Sequence, residues 1–317
     1  MYSPSHSYIK RKKLGEGTYA TVYQATPIQK QDSIFIEDTS SSSFPSSPFV
    51  AIKQCKKNLH NLGHDISAFR EIKSLKRIRS NFVINLRDVF IYKKDIHLVL
   101  DYYETDLETI IRNKEVVILP SDIKSWLKMI LTGLHHIHSL FIIHRDLKPN
   151  NILIGKNGII KIADFGLARE IGEKMTPQAI TRWYRPPELL LGSNCYGVSV
   201  DLWSVGCIFA ELLLRVPLFA GESDLEQLNL IFKVLGVKDD IKVFEFLPGF
   251  MDFQRREGIE LEKLFTAASP DTLKLLKRFL EIDPEKRINT LESLKDEYFK
   301  NLPEPTEPKD LPFFARG

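Results

Sequence analysis

The chain has 317 residues, enough for one large domain or two packed lobes. It is 43% hydrophobic and 27% charged, which excludes wholesale disorder. Its net charge of +3 is too mild to argue for nucleic acid, which calls for a strongly basic stripe. Cys55, Cys195 and Cys207 lie far apart without metal-ligand spacing, predicting free thiols in a reducing compartment. The polar segment Met1–Ser7 carries no apolar core of a secretory signal.

Along the chain, residues 8–24 and 50–55 read as strands around a glycine turn. Residues 26–49 between them shift in composition. The Ser/Pro patch Ser40–Ser43, Pro45, Ser46, Ser47 and Pro48 predicts a mobile surface loop. Ile66, Phe69, Ile72, Leu75 and Ile78 have helical spacing, and 82–92 and 96–102 read as strands. Beyond Thr105 the pattern is mainly helical. Ile123, Leu127, Ile130, Leu131 and Leu134 form one stripe, and 199–214, 223–235 and 271–281 are further helices. Glu211, Arg215 and Pro217 interrupt the apolar run from Ser204 to Gly221, so it reads as a buried helix and not a membrane span. A strand-rich first third before a helical remainder predicts an α+β protein with two unlike lobes, and no internal repeat is visible.

Three motifs carry chemistry. Gly15-Glu16-Gly17 lets backbone approach phosphates without side chains in the way, although taken alone it reads better as a plain hairpin turn. Lys53 of Val50-Ala51-Ile52-Lys53 can aim an ammonium at phosphate oxygens or simply reach water. Glu71, on the helix at 66–78, can pair with it or be solvated. The specific block is His144-Arg145-Asp146-Leu147-Lys148-Pro149-Asn150-Asn151 followed by Asp164-Phe165-Gly166. Phosphoryl transfer needs a carboxylate for the hydroxyl proton, a lysine by the moving phosphoryl and oxygen ligands for Mg²⁺. Asp146, Lys148, Asn151 and Asp164 supply those types.

This ordered set resembles the eukaryotic protein kinases over residues 8–299. The resemblance implies a bilobal kinase fold: an N-lobe at 1–102 with 26–49 inserted, a C-lobe at 103–299 and a Pro-rich tail at 300–317. It implies ATP and Mg²⁺ as cofactors, Asp146 as catalytic base, Lys148 beside it, Thr181 bracing both, and Asn151 and Asp164 as metal ligands. Lys53 would hold phosphates and pair with Glu71, and Glu188 would pair with Arg287. Leu14, Gly15, Glu16, Gly17, Thr18, Tyr19, Ala20, Thr21, Val22, Ala51, Leu100, Asp101, Tyr103, Asp106 and Leu153 would surround ATP. Among these, Leu100 would act as gatekeeper, Asp101–Tyr103 as hinge, and Asp106 would lie near the ribose. Ala20 replaces the usual third loop glycine and Pro186-Pro187-Glu188 replaces A-P-E; a stiffer loop and a tolerated change are expected.

Ser67-Ala68-Phe69-Arg70-Glu71, Thr181-Arg182-Trp183-Tyr184-Arg185 and Asp201–Cys207 resemble the cyclin-dependent kinases. Glu104–Glu108, His144–Leu153, Tyr196–Val198 and Glu211–Leu228 are most similar to the CDK-activating kinases of the TFIIH kinase module. That implies a cyclin H-type partner, a MAT-type assembly factor, and TFIIH as setting. It also implies RNA polymerase II C-terminal repeats or activation loops of other cyclin-dependent kinases as substrates, and a nuclear location with the cytoplasm also open. Neither direct nucleic-acid binding nor a membrane is expected. Thr176 would be the regulatory phosphosite clamped by Arg70, Arg145 and Arg169. Phe69 would anchor the cyclin or else pack within its own lobe. Ile180 and Arg185 would shape a proline pocket. Family behaviour further predicts that the single chain shows a broken Lys53–Glu71 pair, with the helix swung out until a cyclin binds.

Departures from the relatives are a shorter stretch from Glu170 to Met175, and Thr18-Tyr19, which resembles inhibitory phosphosites of cell-cycle kinases or is an unmodified loop pair. Two rivals follow: a cell-cycle kinase with a mitotic-type cyclin, and a pseudokinase scaffold, against which the presence of Lys53, Asp146 and Asp164 speaks. His135, His136, His138 and His144 crowd together without acidic or cysteine partners at ligand spacing, so no metal site is expected. Lys10–Lys13 resembles an import signal but begins a strand, and the Pro-rich tail from Asn301 can pack back across a lobe or bind a partner, although a disordered end is the simpler reading.

Overall fold

The computed structural model describes residues 6–17, 20–31, 34–37, 48–55, 66–172, 174–237 and 239–314. Strand β1 (His6–Glu16) pairs antiparallel with β2 (Ala20–Gln31), and β2 pairs with β3 (Ile34–Glu37). Residues 26–31 and 34–37 are therefore strand and not the surface loop that composition predicted. The Ser/Pro bias is concentrated further along, and it masked the strand-forming run Ile34-Phe35-Ile36. The patch at 40–47 lies outside the described residues.

Strand β4 (Val50–Cys55), helix α1 (Ile66–Arg77), β5 (Leu86–Tyr92) and β6 (Asp95–Asp101) complete a six-stranded sheet in the order β1-β2-β4-β6-β5, with β3 on β2. Strand periodicity splits β4 between two environments. Val50 and Ile52 join Ala25 and Val99 under Tyr8 and Phe90 on the outer face, while Ala51 and Cys55 join the main core. Lys53 shares the parity of Ala51 and Cys55, so its ammonium enters the cleft side.

The helical part holds β7 (Thr105–Asp106), α2 (Leu107–Arg112), α3 (Pro120–Ser139), β8 (Ile142–Ile143), β9 (Ile152–Ile154), β10 (Ile160–Ile162) and β11 (Arg169–Glu170). It continues through α4 (Pro187–Leu190), α5 (Ser199–Leu214), α6 (Asp224–Leu235), α7 (Leu261–Leu264), α8 (Pro270–Phe279) and α9 (Thr290–Leu294). Helix α5 is buried from Val200 through Leu212, as an all-round apolar helix must be. Among the described residues no helix is long and apolar enough to cross a membrane. Arg215 caps α5 at φ 64° and donates to the carbonyls of Ile110, Ile111, Asn113 and Val116. Those bonds satisfy carbonyls at the open end of α2, tying the two helices together.

Over 301–314 the tail packs back against α3, which is the packed alternative and not the simpler disordered end. Thr306 donates through Oγ1 to Asp122 at 2.6 Å and through its amide to the Ser121 carbonyl, and Lys124 reaches the Asn301 carbonyl at 2.6 Å. Leu311 is buried. Polar groups at the start of α3 and an apolar anchor beyond them hold a segment whose proline content alone suggested freedom.

Candidate active site

Lys53 is the junction of the two halves. Its Nζ donates to Glu71 Oε2 at 2.7 Å and to Asp164 Oδ1 at 2.8 Å. Burial alone would lower the lysine, but the two carboxylates outweigh it and hold it protonated. Burial raises Glu71, with Lys53 opposing. Asp164 is enclosed by the cleft walls although part of its side chain reaches solvent; that enclosure pushes its carboxyl up, yet the Lys53 ammonium brings it down to about 2. The pair expected to be broken in a single chain is closed. Glu71 is 1% exposed, and a carboxylate that deep without its lysine would be strongly destabilising. Ser67 Oγ also donates to the Gly166 carbonyl at 3.0 Å, holding the start of α1 against the Asp164 turn.

A second cluster closes into a ring. Asp146 accepts from Thr181 Oγ1 at 2.8 Å, from Asn151 Nδ2 at 3.0 Å and from Lys148 Nζ at 2.9 Å. Lys148 Nζ also donates to Thr181 Oγ1 at 3.0 Å. The backbone beneath is strung on Asp201, a wholly buried carboxylate in the first turn of α5. Its Oδ2 accepts the His144 amide at 2.8 Å and His138 Nε2 at 2.9 Å, and its Oδ1 accepts the Arg145 amide at 2.9 Å. Burial raises Asp201, but these donors and the neighbouring imidazoles bring it below the usual carboxylate range.

Buried His144 bridges the Asp146 amide and the Ala163 carbonyl, which assigns Nδ1 as acceptor and Nε2–H as donor. Its ring meets Phe165 edge-on at 4.7 Å, and burial lowers its pKa. Arg145, Asp164 and Ile180 adopt left-handed backbone at φ 65°, 64° and 66°. Arg145 and Ile180 directly precede Asp146 and Thr181, and Asp164 faces Lys53; each is a conformation that side-chain-bearing residues adopt at a cost.

Arg145 also gathers the activation segment. It donates to Tyr196 Oη at 2.9 Å, to the Leu167 carbonyl at 2.8 Å and, at 3.4 Å, to exposed Thr176 Oγ1. Arg70 is lowered by burial and then by the nearby charges of Arg145 and Arg169, so the three arginines share one neighbourhood. Arg185 donates to the carbonyls of Ala179 and Ile180 and pairs with Asp224 at 3.2 Å. Glu188 and Arg287 form a two-pronged pair at 2.8 and 3.1 Å. Phe69 is 52% exposed on α1.

A cleft of about 450 Å³ joins both clusters, lined by Gly17, Ala20, Val22, Lys53, Glu71, Asp146, Lys148, Asp164 and Thr181. Gly17 N bonds Ala20 O at 2.8 Å, closing the loop, and Thr18 and Tyr19 fall outside the described residues. Other predicted nucleotide contacts lie off this cavity. Leu14 is partly buried against the core, Gly15 has open space where a side chain would stand, and Glu16 pairs with Lys13. Thr21 is buried in β2, and Leu100 faces Ala51 across β4 and β6. The Asp101 carboxylate is taken by Arg87 and Asn85, and Asp106 caps α2 through the Thr109 amide at 2.7 Å. Leu153 sits opposite Asp106, and Tyr103 packs near Gly155.

Asn151 spends its amide N–H groups on Asp146, leaving Oδ1 as an acceptor, and Asp164 keeps 46% of its side chain exposed to the cleft. Hard oxygens from one amide and one carboxylate fit Mg²⁺ shared with phosphates. Among the described residues no cluster of three or more His, Cys, Asp or Glu could hold a metal alone; His135 bonds Thr290 and His138 bonds Asp201. Asp201, Ser67 and Tyr196 were not singled out from the sequence as parts of the site. For Asp201 a signal existed: an acid opening an otherwise apolar helix needs buried donors.

The description "Protein kinase domain" matches residues 8–299. The chain belongs to the protein kinase family. This kinase is 52% identical over 308 residues to the probable serine/threonine-protein kinase KIN28 homolog of Encephalitozoon cuniculi, covering 96% of this chain and 99% of that one. It is 43% identical to cyclin-dependent kinase 7 of Xenopus laevis, over 98% of this chain and 86% of the relative. The CAK complex of Chaetomium thermophilum bound to ATP-γ-S contains a chain of TM-score 0.84 and 39% identity, covering 96% and 94% of the two chains. The kinase is thus a serine/threonine kinase of the KIN28 and cyclin-dependent kinase 7 type, with a strand-rich lobe and a helical lobe.

Proposed function

We propose that this kinase transfers the γ-phosphoryl group of Mg-ATP to Ser/Thr-Pro sites, with Asp146 receiving the substrate hydroxyl's proton. The observation that carries the reading is the ring of Asp146, Lys148 and Thr181 facing the Lys53–Asp164 pair across one cleft. Lys148 beside Asp146 supplies positive charge where charge moves, and Thr181 fixes both side chains. Asn151 and Asp164 would hold Mg²⁺, which when bound offsets phosphate charge. Lys53, anchored by Glu71, would orient the phosphates beneath Gly15–Val22, with adenine toward Leu100–Tyr103. The lobes would divide near residue 102.

Two observations favour proline after the phosphoacceptor. Ile180 is held left-handed at φ 66°, and its carbonyl is occupied by Arg185. A residue without an N–H loses nothing there. On the relatives' pattern, the substrates are RNA polymerase II repeats or activation loops of cyclin-dependent kinases. The partners are a cyclin H-type subunit docking on exposed Phe69, a MAT-type factor and TFIIH, and the setting is the nucleus. Thr176 phosphate would bridge Arg70, Arg145 and Arg169.

The test compares wild type, Asp146→Asn and Thr176→Ala on Ser-Pro and Ser-Ala peptides with ATP and magnesium. Loss of about a thousandfold in Asp146→Asn and preference for Ser-Pro are expected. Equal rates on both peptides would overturn the proline reading, and near-full activity of Asp146→Asn the assignment of the base.

A further inference from the structure

One exposed acid makes contacts that the proposed chemistry does not use. Glu170, the second residue of β11, binds Arg77 Nη1 at 2.5 Å and Lys73 Nζ at 2.8 Å through the same Oε1. Arg70, Lys73 and Arg77 are spaced three and four apart and so lie on one face of α1. That face is a basic ridge turned toward the activation segment. At one end Arg70 meets the charges of Arg145 and Arg169; at the other, Lys73 and Arg77 meet Glu170. The two-residue strand β11 thus delivers Arg169 to the arginine cluster and Glu170 to the rest of the ridge. It is itself fixed, because Arg169 and Glu170 pair with Ile143 and Ile142 immediately before His144.

We infer that Glu170 is a positioning residue: it clasps α1 to the root of the activation segment, keeping Glu71 against Lys53 before Thr176 carries a phosphate. The clasp deepens the proposed regulation and rests on reading Thr176 as the phosphate-bearing residue. Helix α1 cannot swing outward without parting Lys73 and Arg77 from Glu170, Ser67 from the Gly166 carbonyl, and Glu71 from Lys53. The contacts at Glu170 lie in water, where one ion pair shifts an equilibrium by about fivefold at most and is screened by salt. The clasp therefore biases α1 inward and does not lock it, leaving room for a partner and a phosphate to act further.

The test uses the full chain treated with phosphatase. Glu170→Gln keeps shape and removes charge; Glu170→Lys with Lys73→Glu and Arg77→Glu restores the clasp with signs reversed. Amide exchange over residues 66–77, which needs no activity, is measured beside kcat and ATP KM at low and high salt. Glu170→Gln should speed exchange in α1 and lower kcat about two- to fivefold at low salt, with the difference shrinking at high salt and the swap restoring both. Unchanged exchange in Glu170→Gln, or a loss that is equal at both salt concentrations, would overturn the clasp. Thr176→Ala separates the two readings. If it matches phosphorylated wild type while Glu170→Gln still loosens α1, the clasp stands and the Thr176 assignment falls.

Discussion

Replacing Asp201 by asparagine changes one atom's chemistry and almost no volume, yet it should disable the kinase. Three donors converge on two oxygens: the His144 amide and His138 Nε2 on Oδ2, the Arg145 amide on Oδ1. Asparagine offers one acceptor and one NH₂. If the NH₂ takes the Oδ1 place, the Arg145 amide faces a donor; if it takes the Oδ2 place, the His144 amide does. A tautomer change at His138 rescues the imidazole but neither amide. An orphaned buried N–H costs about 1–3 kcal/mol, and with a charge-assisted bond also lost the total is about 3 kcal/mol. Either misplaced amide lies within two residues before Asp146, and a shift of about 1 Å there costs roughly a hundredfold in rate. Urea unfolding and steady-state phosphorylation of a Ser-Pro peptide measure both. A variant destabilised by less than about 1 kcal/mol that keeps kcat within threefold would refute the reasoning.

The other predictions concern His144 and the tail. Burial holds the folded His144 below its ordinary value of 6.5, so the unfolded chain binds a proton that the folded chain refuses. Its contribution is absent well above pH 6.5 and lowers stability progressively as pH falls below it; a His144→Gln variant should lack that slope in pH-dependent urea unfolding. A β-carbon added at Gly158, where φ is +73°, would fall 1.5 Å from the Pro308 carbonyl oxygen, so Gly158→Ala should dislodge the tail. Losing the Thr306–Asp122 bond and the burial of Leu311 costs about 2–4 kcal/mol, with faster proteolysis beyond residue 300 and kcat unchanged. A tail as protected as in wild type would contradict this.

Most of the architecture was legible because periodicity and motif order are local properties. The helix at 66–78, the strands around Lys53 and the apolar helix at 199–214 all announced themselves. What escaped depends on distant partners. Asn301–Phe314 is ordered by Asp122, Ser121 and Lys124 at the start of α3, which no window over the tail can reveal. The β2–β3 extension was hidden by serines that follow it. Asp201 escaped because a motif marks a residue without saying which amides it will serve. The closed Lys53–Glu71 pair was not legible because the contacts of α1, from Ser67 to the Gly166 carbonyl and from Lys73 and Arg77 to Glu170, join segments about a hundred residues apart.

The three left-handed residues at Arg145, Asp164 and Ile180 have a consequence for the evolvability of the kinase. Each is strained by roughly 1–3 kcal/mol that a glycine would relieve. Yet the Arg145 guanidinium reaches Thr176 and Tyr196, the Asp164 carboxylate meets Lys53, and the Ile180 side chain is buried. Relaxing the backbone at these positions removes the working group. Stabilising mutations are therefore closed off where the chemistry happens and must accumulate elsewhere, in the helical core or the tail, to compensate for a permanently tense centre.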